Sequence, residues 1–340
     1  MDLHHVRKVV IRFPNWLGDC IMASPLIGAL HDSFPEWKIS LAIRPQFVSL
    51  FANDPRLEEV IALDDKGGRF RLFRYFPIAE QVSKRGFELA LILPESFSSA
   101  FIFYLAGLPL TLGYRGDLRS FMLRQTIPHP ENVIHRTKKY LNFVNVLGGK
   151  LDKQYHPRIY SSEDHKNQAE RLTRGIEDYV VINPFSRAPS RRWGKQKYAE
   201  LASRIKAELD LNIVFSGAPD EAGVIDEVGR MAGVDYLNIA GKSDLMTSYE
   251  IMKNARVYVG NDSGGAHLAA SSGTYTLSIS GADDPDETRP LAKHGKVVRG
   301  DLPCMPCVKN ICPRKDIPNE CMQVVDVEQV FSAVREASDE

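Results

Sequence analysis

The chain has 340 residues, of which 44% are hydrophobic, and its 43 basic side chains balance 43 acidic ones. These values are ordinary for a globular protein of about two domains, and they exclude collagen-like, low-complexity and wholly disordered chains. The balanced charge gives no support to nucleic acid as a partner. Residues 1–150 nevertheless carry 19 Lys and Arg against 14 Asp and Glu, which favours an anionic partner for this half unless the excess is chance scatter.

The sequence carries no signal for export or for membrane insertion. The start, MDLHHVRKVVIRF, has neither the apolar stretch nor the small-residue cleavage site of a secretory signal. Residues 96–114 are uncharged, but Gly107 and Pro109 interrupt them, which predicts a buried helix, a turn and a strand rather than a membrane span. Five cysteines are too few for a disulfide scaffold at this length. We therefore expect a cytoplasmic protein.

Short β-branched runs alternate with helical patterns along the chain. Strands are predicted at residues 8–13, 38–43, 60–63, 88–93, 179–183, 212–216, 236–239, 257–260 and 275–279. Helices are predicted at residues 19–33, 164–174, 197–209, 220–231, 248–253, 265–272 and 327–337. Near-continuous apolar strands, each followed by a helix, are typical of a parallel sheet that is covered on both faces.

The polar helix near the middle, which Gly175 ends, separates two such series. We therefore predict an α/β fold with two doubly wound parallel-sheet domains, 1–165 and 176–325, followed by a C-terminal helix at 326–340. Ligands of such sheets bind beyond the carboxyl ends of the strands. We expect the chemistry in the loops that follow each strand, with the two sheet edges facing one another across a cleft.

The first of these loops, PNWLGD at residues 14–19, leads from the first strand into the first helix. Gly18 is expected to permit a tight turn, and Asp19 falls in the first helical turn, where the helix dipole favours a carboxylate. Two interpretations stay open. Asp19 either stabilises the helix start, or it faces the ligand and takes a proton from a hydroxyl group as a general base.

Two loops of the second half carry residues suited to a nucleotide. Arg187, Arg191 and Arg192 share the loop after the strand at 179–183, and arginine offers planar donors for phosphate oxygens. Glu221 follows the next strand, where a carboxylate is suited to accept from ribose hydroxyls. The alternatives are a solvated basic loop and an acidic residue that merely stabilises a helix start.

The segment VYVGNDSGGAHLAAS is the most informative of the chain. A strand ends in Asn-Asp262-Ser263-Gly264-Gly265, and a helix follows, so small residues would let a pyrophosphate approach the free N–H groups of the helix. His267 either donates to a phosphate oxygen or is an ordinary helix residue. The sequence has no GxGxxG and no GxxxxGK[ST], which disfavours dinucleotide dehydrogenases and P-loop NTPases.

Two further segments attract attention. Cys304, Cys307, Cys312 and Cys321 begin with the spacing of metal ligands, and four thiolates would hold a structural zinc, with an iron–sulfur cluster or free cysteines as alternatives. In residues 67–76, GGRFRLFRYF, arginines interleave with aromatic residues. This segment would hold an anionic acceptor or a membrane surface, unless it is a half-buried solvated stretch.

Eight motifs in order give the chain a resemblance that covers nearly all of it. It resembles the heptosyltransferases of glycosyltransferase family 9 in PNWLGD, LPESFSSA, AGLP, GYRGDLR, RRW with YAEL, GAPDE, IAGKSDL and NDSGGAHLAA. The resemblance implies a GT-B-type fold of two Rossmann-like domains. The first would bind the anionic inner core of lipid A at the inner membrane surface. The second would bind ADP-heptose for an inverting transfer that needs no cofactor.

The resemblance also implies roles for individual residues. Asp19 matches the general base, Arg191 matches a phosphate-contacting lysine, and Glu221 matches a donor-contacting acid. With the loop analysis, the predicted donor-binding residues are Arg187, Arg191, Arg192, Glu221, Asp262, Ser263, Gly264, Gly265 and His267. The predicted acceptor-binding residues are Asn15, Trp16, Arg69, Arg71, Ser96 and Arg115. The alternative functions are a family-9-like transferase with another nucleotide sugar or acceptor, a non-catalytic nucleotide-sugar-binding protein, and a metal-sensing module.

Overall fold

The structure is a computed structural model that describes residues 3–65 and 71–339, with Arg71 and Leu72 described in the backbone only. The chain divides after Tyr160 into two compact units. The helix at Glu163–Leu172 belongs to the second unit, where it packs against the helix at Leu245–Lys253. The division therefore lies a few residues before residue 165, the predicted end of the first domain.

The first unit is a six-stranded parallel sheet with helices. Its strands are β1 (Lys8–Arg12), β2 (Lys38–Ile43), β3 (Glu59–Ala62), β4 (Leu89–Ile92), β5 (Leu110–Tyr114) and β6 (Gln125–Ile127). Its helices are α1 (Leu17–Ala23), α2 (Pro25–Ser33), α3 (Arg71–Ser83), α4 (Phe97–Leu105) and α5 (Arg136–Val146). The strand order is β3-β2-β1-β4-β5-β6, and every pairing is parallel.

The second unit repeats this topology. Its strands are β7 (Tyr179–Asn183), β8 (Asn212–Phe215), β9 (Tyr236–Asn238), β10 (Val257–Asn261), β11 (Tyr275–Ser280) and β12 (Gly295–Arg299). Its helices are α6 (Glu163–Leu172), α7 (Lys195–Leu209), α8 (Ala222–Ala232), α9 (Leu245–Lys253), α10 (Gly264–Ser272), α11 (Pro285–Thr288), α12 (Glu320–Gln323) and α13 (Val327–Ser338). The order is β12-β11-β10-β7-β8-β9, again all parallel.

The central strands are buried on both faces, which is why they are apolar without alternation. Every residue of β4, β7 and β10 is buried, as expected when helices cover both sides of a parallel sheet. The C-terminal helix α13 belongs to this architecture, because Val330, Phe331 and Val334 join the core of the second unit and the helix packs on α7.

Two predictions about the first unit have different outcomes. The single helix expected at 19–33 is wrong, because α1 ends at Ala23 and Pro25 begins α2. Ser24 between them keeps helical dihedrals (φ −59°, ψ −30°), but Pro25 lacks the N–H that would continue the hydrogen bonds of α1. The uncharged segment does form a helix, a turn at Gly107 and a strand, as predicted. Within residues 3–65 and 71–339, we find no helix with the length and apolarity that crossing a bilayer demands.

Candidate active site

Asp19 lies at the carboxyl edge of the first sheet, just after β1. The strand order reverses between β1 and β4, and ligands of doubly wound sheets bind at such a reversal. Helix α1 begins at Leu17, so Asp19 stands in its first turn. Gly18 lies inside this helix and has no positive φ, so its predicted role in a tight turn is wrong. The Asp19 side chain is 15% exposed, which leaves it accessible to a substrate hydroxyl.

Arg136, which no motif of the sequence singles out, forms an ion pair with Asp19. Its Nη1 donates to Asp19 Oδ1 at 2.7 Å. Arg136 begins α5, which packs on α1, and Thr137 Oγ1 donates to the Met22 carbonyl at 2.9 Å. Burial, and then the charge of Asp19, raise the pKa of Tyr140 on the same helix. The pair fixes the orientation of the carboxylate, as charge-assisted hydrogen bonds do.

A buried charge network supports the loop that carries Asp19. Arg12 is fully buried, and its Nη2 donates both to Asp65 Oδ2 and to Asn15 Oδ1 at 2.7 Å. Arg44 adds a second cation, with its Nε 3.5 Å from Asp65 Oδ1. Asn15 therefore anchors this loop through its amide oxygen, and its predicted contact with an acceptor stays a prediction.

Three other predicted acceptor residues, Trp16, Ser96 and Arg115, follow strands at the same sheet edge. Trp16 follows β1 and is 68% exposed. Ser96 follows β4 as the N-cap residue of α4, although its hydroxyl does not cap the helix. Arg115 follows β5 and is exposed. Arg69 and the side chain of Arg71 lie outside the described residues, so the arginine-aromatic segment enters the site only as a prediction.

In the second unit, Arg191 ends a short 3-10 turn, Pro189–Arg191, within the loop between β7 and α7. Its Nη2 donates to Asp283 Oδ1 at 2.6 Å, and Asp283, just after β11, is buried. The Arg191 side chain is 29% exposed, so it is partly accessible to solvent. Because β7 lies beside β10 where the strand order reverses, this cation lies where a doubly wound sheet binds an anion.

The other two predicted arginines are engaged differently. Arg187 forms two hydrogen bonds with the Asp220 carboxylate, at 2.7 and 3.0 Å, and this pairing lowers the pKa of Asp220. Arg192 lies over the Phe185 ring at 4.1 Å, and its Nε donates to the Ser186 carbonyl at 2.8 Å. Arg187 is well exposed at the surface, whereas Arg192 holds the loop in shape.

Glu221 closes the turn between β8 and α8. Its Oε2 accepts from the Ala218 N–H at 2.8 Å, and the residue is buried. Burial raises the pKa of the Glu221 carboxyl, against the opposing effects of the Ala218 N–H and of Arg187. The carboxylate is thus held in one place at the sheet edge, as its predicted role toward a ribose requires.

The raised pKa makes Glu221 a source of pH-dependent stability. As pH rises, the Glu221 carboxyl loses its proton in the unfolded chain near the ordinary pKa of 4.5, and in the folded chain only at a higher pH. Between these two pKa values, the free energy of unfolding falls with rising pH. Glu221→Gln keeps the oxygen acceptor but cannot ionise. We expect the variant to melt about 1–2 °C above the wild type at pH 8 and to lose this advantage at pH 4. An equal difference at both pH values would contradict the assignment.

The β10–α10 junction forms the centre of this edge. Ser263 is the N-cap residue of α10, but its hydroxyl makes no capping bond, and Gly264 and Gly265 form the first turn. Asp262 and His267 are buried. Among the described residues, the buried Nδ2 of Asn261 has no hydrogen-bond partner. A helix N-terminus with uncapped N–H groups attracts anions such as phosphate.

Gly265 allows this helix start to lie close to the sheet. A Cβ built at Gly265 would come within 2.7 Å of both Asn183 Nδ2 and the Tyr258 hydroxyl. We expect Gly265→Ala to displace the first turn and to weaken binding of the predicted ligand ADP about tenfold, measured by calorimetry, since overpacking costs about 1–3 kcal/mol. Gly223→Ala in α8 is the matched control, because its Cβ would meet nothing within 4 Å. If both variants bind ADP equally well, the close approach at Gly265 is irrelevant to ligand binding.

The sequence of this chain matches a known enzyme family. The profile described as Glycosyltransferase family 9 (heptosyltransferase) matches residues 76–317, which is more than half of the chain. The chain belongs to glycosyltransferase family 9. Lipooligosaccharide heptosyltransferase 2 of Haemophilus ducreyi is 26% identical over 311 residues, which cover 86% of this glycosyltransferase and 88% of that protein.

Solved structures agree on the fold. The structure of Escherichia coli ADP-heptose lps heptosyltransferase II matches with a TM-score of 0.81 at 20% identity, covering 97% of this chain and 98% of that one. A glycosyl transferase family 9 structure from Veillonella parvula matches with a TM-score of 0.89 at 21% identity, covering 99% and 98%. These likenesses confirm the predicted α/β GT-B-type fold, while the roles of individual site residues in this glycosyltransferase stay predictions.

The four predicted metal ligands of the glycosyltransferase lie together, outside the loops described above. All are free cysteines, and Cys321 is buried while Cys304 is exposed. Burial, and then the nearby Cys307, Cys304 and Cys312, raise the pKa of the Cys321 thiol. Within residues 3–65 and 71–339, no three His, Cys, Asp or Glu side chains stand in ready-made metal-ligand geometry.

Proposed function

We propose that this family 9 glycosyltransferase moves a heptose from ADP-heptose to the inner core of lipopolysaccharide, with heptosyl-Kdo-lipid A as the acceptor. The observation that carries the proposal is the chemistry at the two strand-order reversals. One holds a carboxylate oriented by Arg136. The other has Arg191 and the uncapped start of α10 in the loops after two neighbouring strands, β7 and β10. Heptosyltransferase relatives of similar length support the choice of sugar.

The proposed reaction inverts the anomeric carbon of the heptose. Asp19 accepts the proton of the acceptor hydroxyl while the oxygen of that hydroxyl attacks the anomeric carbon. The bond between the carbon and the β-phosphate oxygen breaks, and ADP leaves with the electron pair. Arg191 and the α10 N-terminus stabilise the charge that develops on the phosphates, which is how fixed donors accelerate such steps. We propose that this stabilisation replaces a catalytic cofactor.

We further propose that the enzyme works in the cytoplasm, bound to the inner membrane surface. Exposed apolar side chains in the first unit support this location: Phe73, Phe76, Tyr104, Leu118 and Phe121. Helices α3 and α4 pack together, and the Tyr104 and Phe121 rings lie 6.3 Å apart, so these side chains share neighbouring elements. Aromatic side chains bind at the boundary between headgroups and acyl chains.

Flotation with vesicles tests this location. We expect the wild type to float with vesicles of anionic phospholipid at low salt, and a Phe73→Ser/Phe121→Ser variant to stay in the bottom fraction. Because both side chains are exposed, the variant should melt like the wild type. Equal flotation of the two proteins would contradict the assignment of this surface.

Mass spectrometry of the acceptor tests the proposed transfer. The enzyme is incubated with ADP-heptose and heptosyl-Kdo-lipid A, and we expect a mass gain of one heptose with release of ADP. An acceptor that lacks the first heptose serves as the control. Turnover only with another nucleotide sugar or acceptor would replace the proposed substrates. Tight ADP-heptose binding without turnover on any core acceptor would indicate a binding protein instead.

A further inference from the structure

The four clustered cysteines line one small cavity in the second unit. Cys304, Cys307, Cys312 and Cys321 all face a space of about 30 Å³. A space of this size holds one or two water molecules at most, which is also the scale of a single metal ion. The fifth cysteine, Cys20, belongs to the first unit, where its Sγ lies 3.2 Å from the Pro14 carbonyl oxygen. Four of the five cysteines therefore share one cavity in the second unit, and Cys20 lies apart from them in the first unit.

The segment that carries these cysteines is held by hydrogen bonds and ion pairs but has no core of its own. Residues 300–319 contain neither a helix nor a strand, and Val308, Ile311 and Ile317 expose their side chains instead of forming a core. A structureless segment of this length inside a compact unit needs another source of order. Metal binding by thiolates supplies folding free energy to segments that lack a hydrophobic core.

We propose that Cys304, Cys307, Cys312 and Cys321 form one tetrathiolate site for a single zinc ion. Four thiolates favour zinc in a closed tetrahedral site with zinc–sulfur distances of about 2.3 Å. Because the thiols do not yet stand in ligand geometry among the described residues, their sulfur atoms move closer together across the shared cavity when the metal enters. Each thiol loses its proton to solvent as its sulfur binds the metal, so no oxidant or reductant is needed.

The site supports the turn that carries Arg191. The hydroxyl of Ser190 donates to the Lys309 carbonyl at 2.6 Å, and the Ser190 N–H donates to the Asn310 carbonyl at 3.2 Å. The Val308 N–H donates to the Ala282 carbonyl at 2.8 Å. Ser190 and Ala282 directly precede Arg191 and Asp283 in sequence. A metal that orders the cysteine segment therefore also orders both members of that ion pair.

Metal analysis of the purified full-length protein tests the site. We expect about one zinc ion per chain by inductively coupled plasma mass spectrometry. The zinc content should fall at least tenfold in Cys304→Ser and in Cys307→Ser. Cys20→Ser is the matched control and should keep its zinc. Cobalt added to the chelated protein should give the thiolate-to-cobalt charge-transfer absorption of a tetrahedral site, and this absorption should be absent from both variants.

Several outcomes would overturn the proposal. Zinc retained in both variants would place the metal elsewhere, and a protein without zinc that also fails to bind added Zn²⁺ would leave no site. A disulfide among the four cysteines, detected by intact mass after alkylation, would replace the metal by a covalent link. Cys304 and Cys307 are chosen because they lie on the irregular segment, outside the helices and strands. Circular dichroism verifies independently that both variants fold.

Hydrogen exchange tests the support of the Arg191 turn. Chelation should raise amide exchange of the peptide containing Pro189–Arg191 by about tenfold, while the peptide containing β1 in the first unit stays unchanged. Unchanged exchange at Pro189–Arg191 after complete zinc removal would contradict this part of the proposal. These measurements involve neither nucleotide nor sugar, so their result is independent of the proposed function.

Discussion

Replacing Asp19 with asparagine should lower kcat about 10²–10⁴-fold, the usual contribution of a general base. Asparagine has nearly the same shape but cannot take up the proton of the acceptor hydroxyl. ADP affinity should stay unchanged, because the groups assigned to the diphosphate belong to the second unit. Steady-state kinetics with the core acceptor and calorimetry with ADP measure the two effects separately.

A matched carboxylate controls for the loss of charge. Asp32 lies in the same unit, at the end of α2, and forms an ion pair with Lys153 at 2.8 Å. Asp32→Asn should leave kcat within about twofold of the wild type, because surface ion pairs contribute little. If Asp19→Asn keeps more than a tenth of the wild-type kcat while it melts normally, Asp19 is not the base.

Most strands were predictable because a strand that is buried on both faces has a continuous run of apolar residues. The exceptions are physically similar to one another. β6 and β12 are edge strands. β6 has only three residues, and β12 has only Val298 buried, so neither carries a clear apolar run. Helix α5 mixes polar and apolar residues without a clear pattern. Its role in orienting Asp19 follows only from the folded structure, where Arg136 contacts Asp19.

The candidate site was predictable only one loop at a time. The position after a strand and at a helix start points to Asp19 and to the Ser263–Gly265 turn, because these are local properties of the chain. Their partners are distant in sequence: Arg136 is 117 positions from Asp19, and Asp283 is 92 positions from Arg191. Spacing within a motif carries no information about such pairs, since the fold alone brings them together.

Replacing Arg191 with alanine should weaken ADP binding about 10²-fold. Two losses combine in this variant. The phosphate loses a charge-assisted donor worth about 1.5–3 kcal/mol, and the buried Asp283 carboxylate loses its 2.6 Å contact with the guanidinium, so its negative charge acts against the incoming phosphate. Breaking a buried pair also destabilises the fold, so the melting temperature should fall. Calorimetry with ADP at fixed ionic strength measures the affinity.

Two further variants separate the roles of charge and shape at this position. Arg191→Ala/Asp283→Ala should bind ADP more tightly than Arg191→Ala alone, because the repelling carboxylate has been removed along with its partner. Arg191→Lys should fall between the wild type and alanine, since lysine keeps the charge but loses the planar fork. If Arg191→Ala binds ADP as the wild type does, the guanidinium serves only to neutralise Asp283. The helix start at Gly264 and the other predicted donor residues of this edge would then hold the diphosphate.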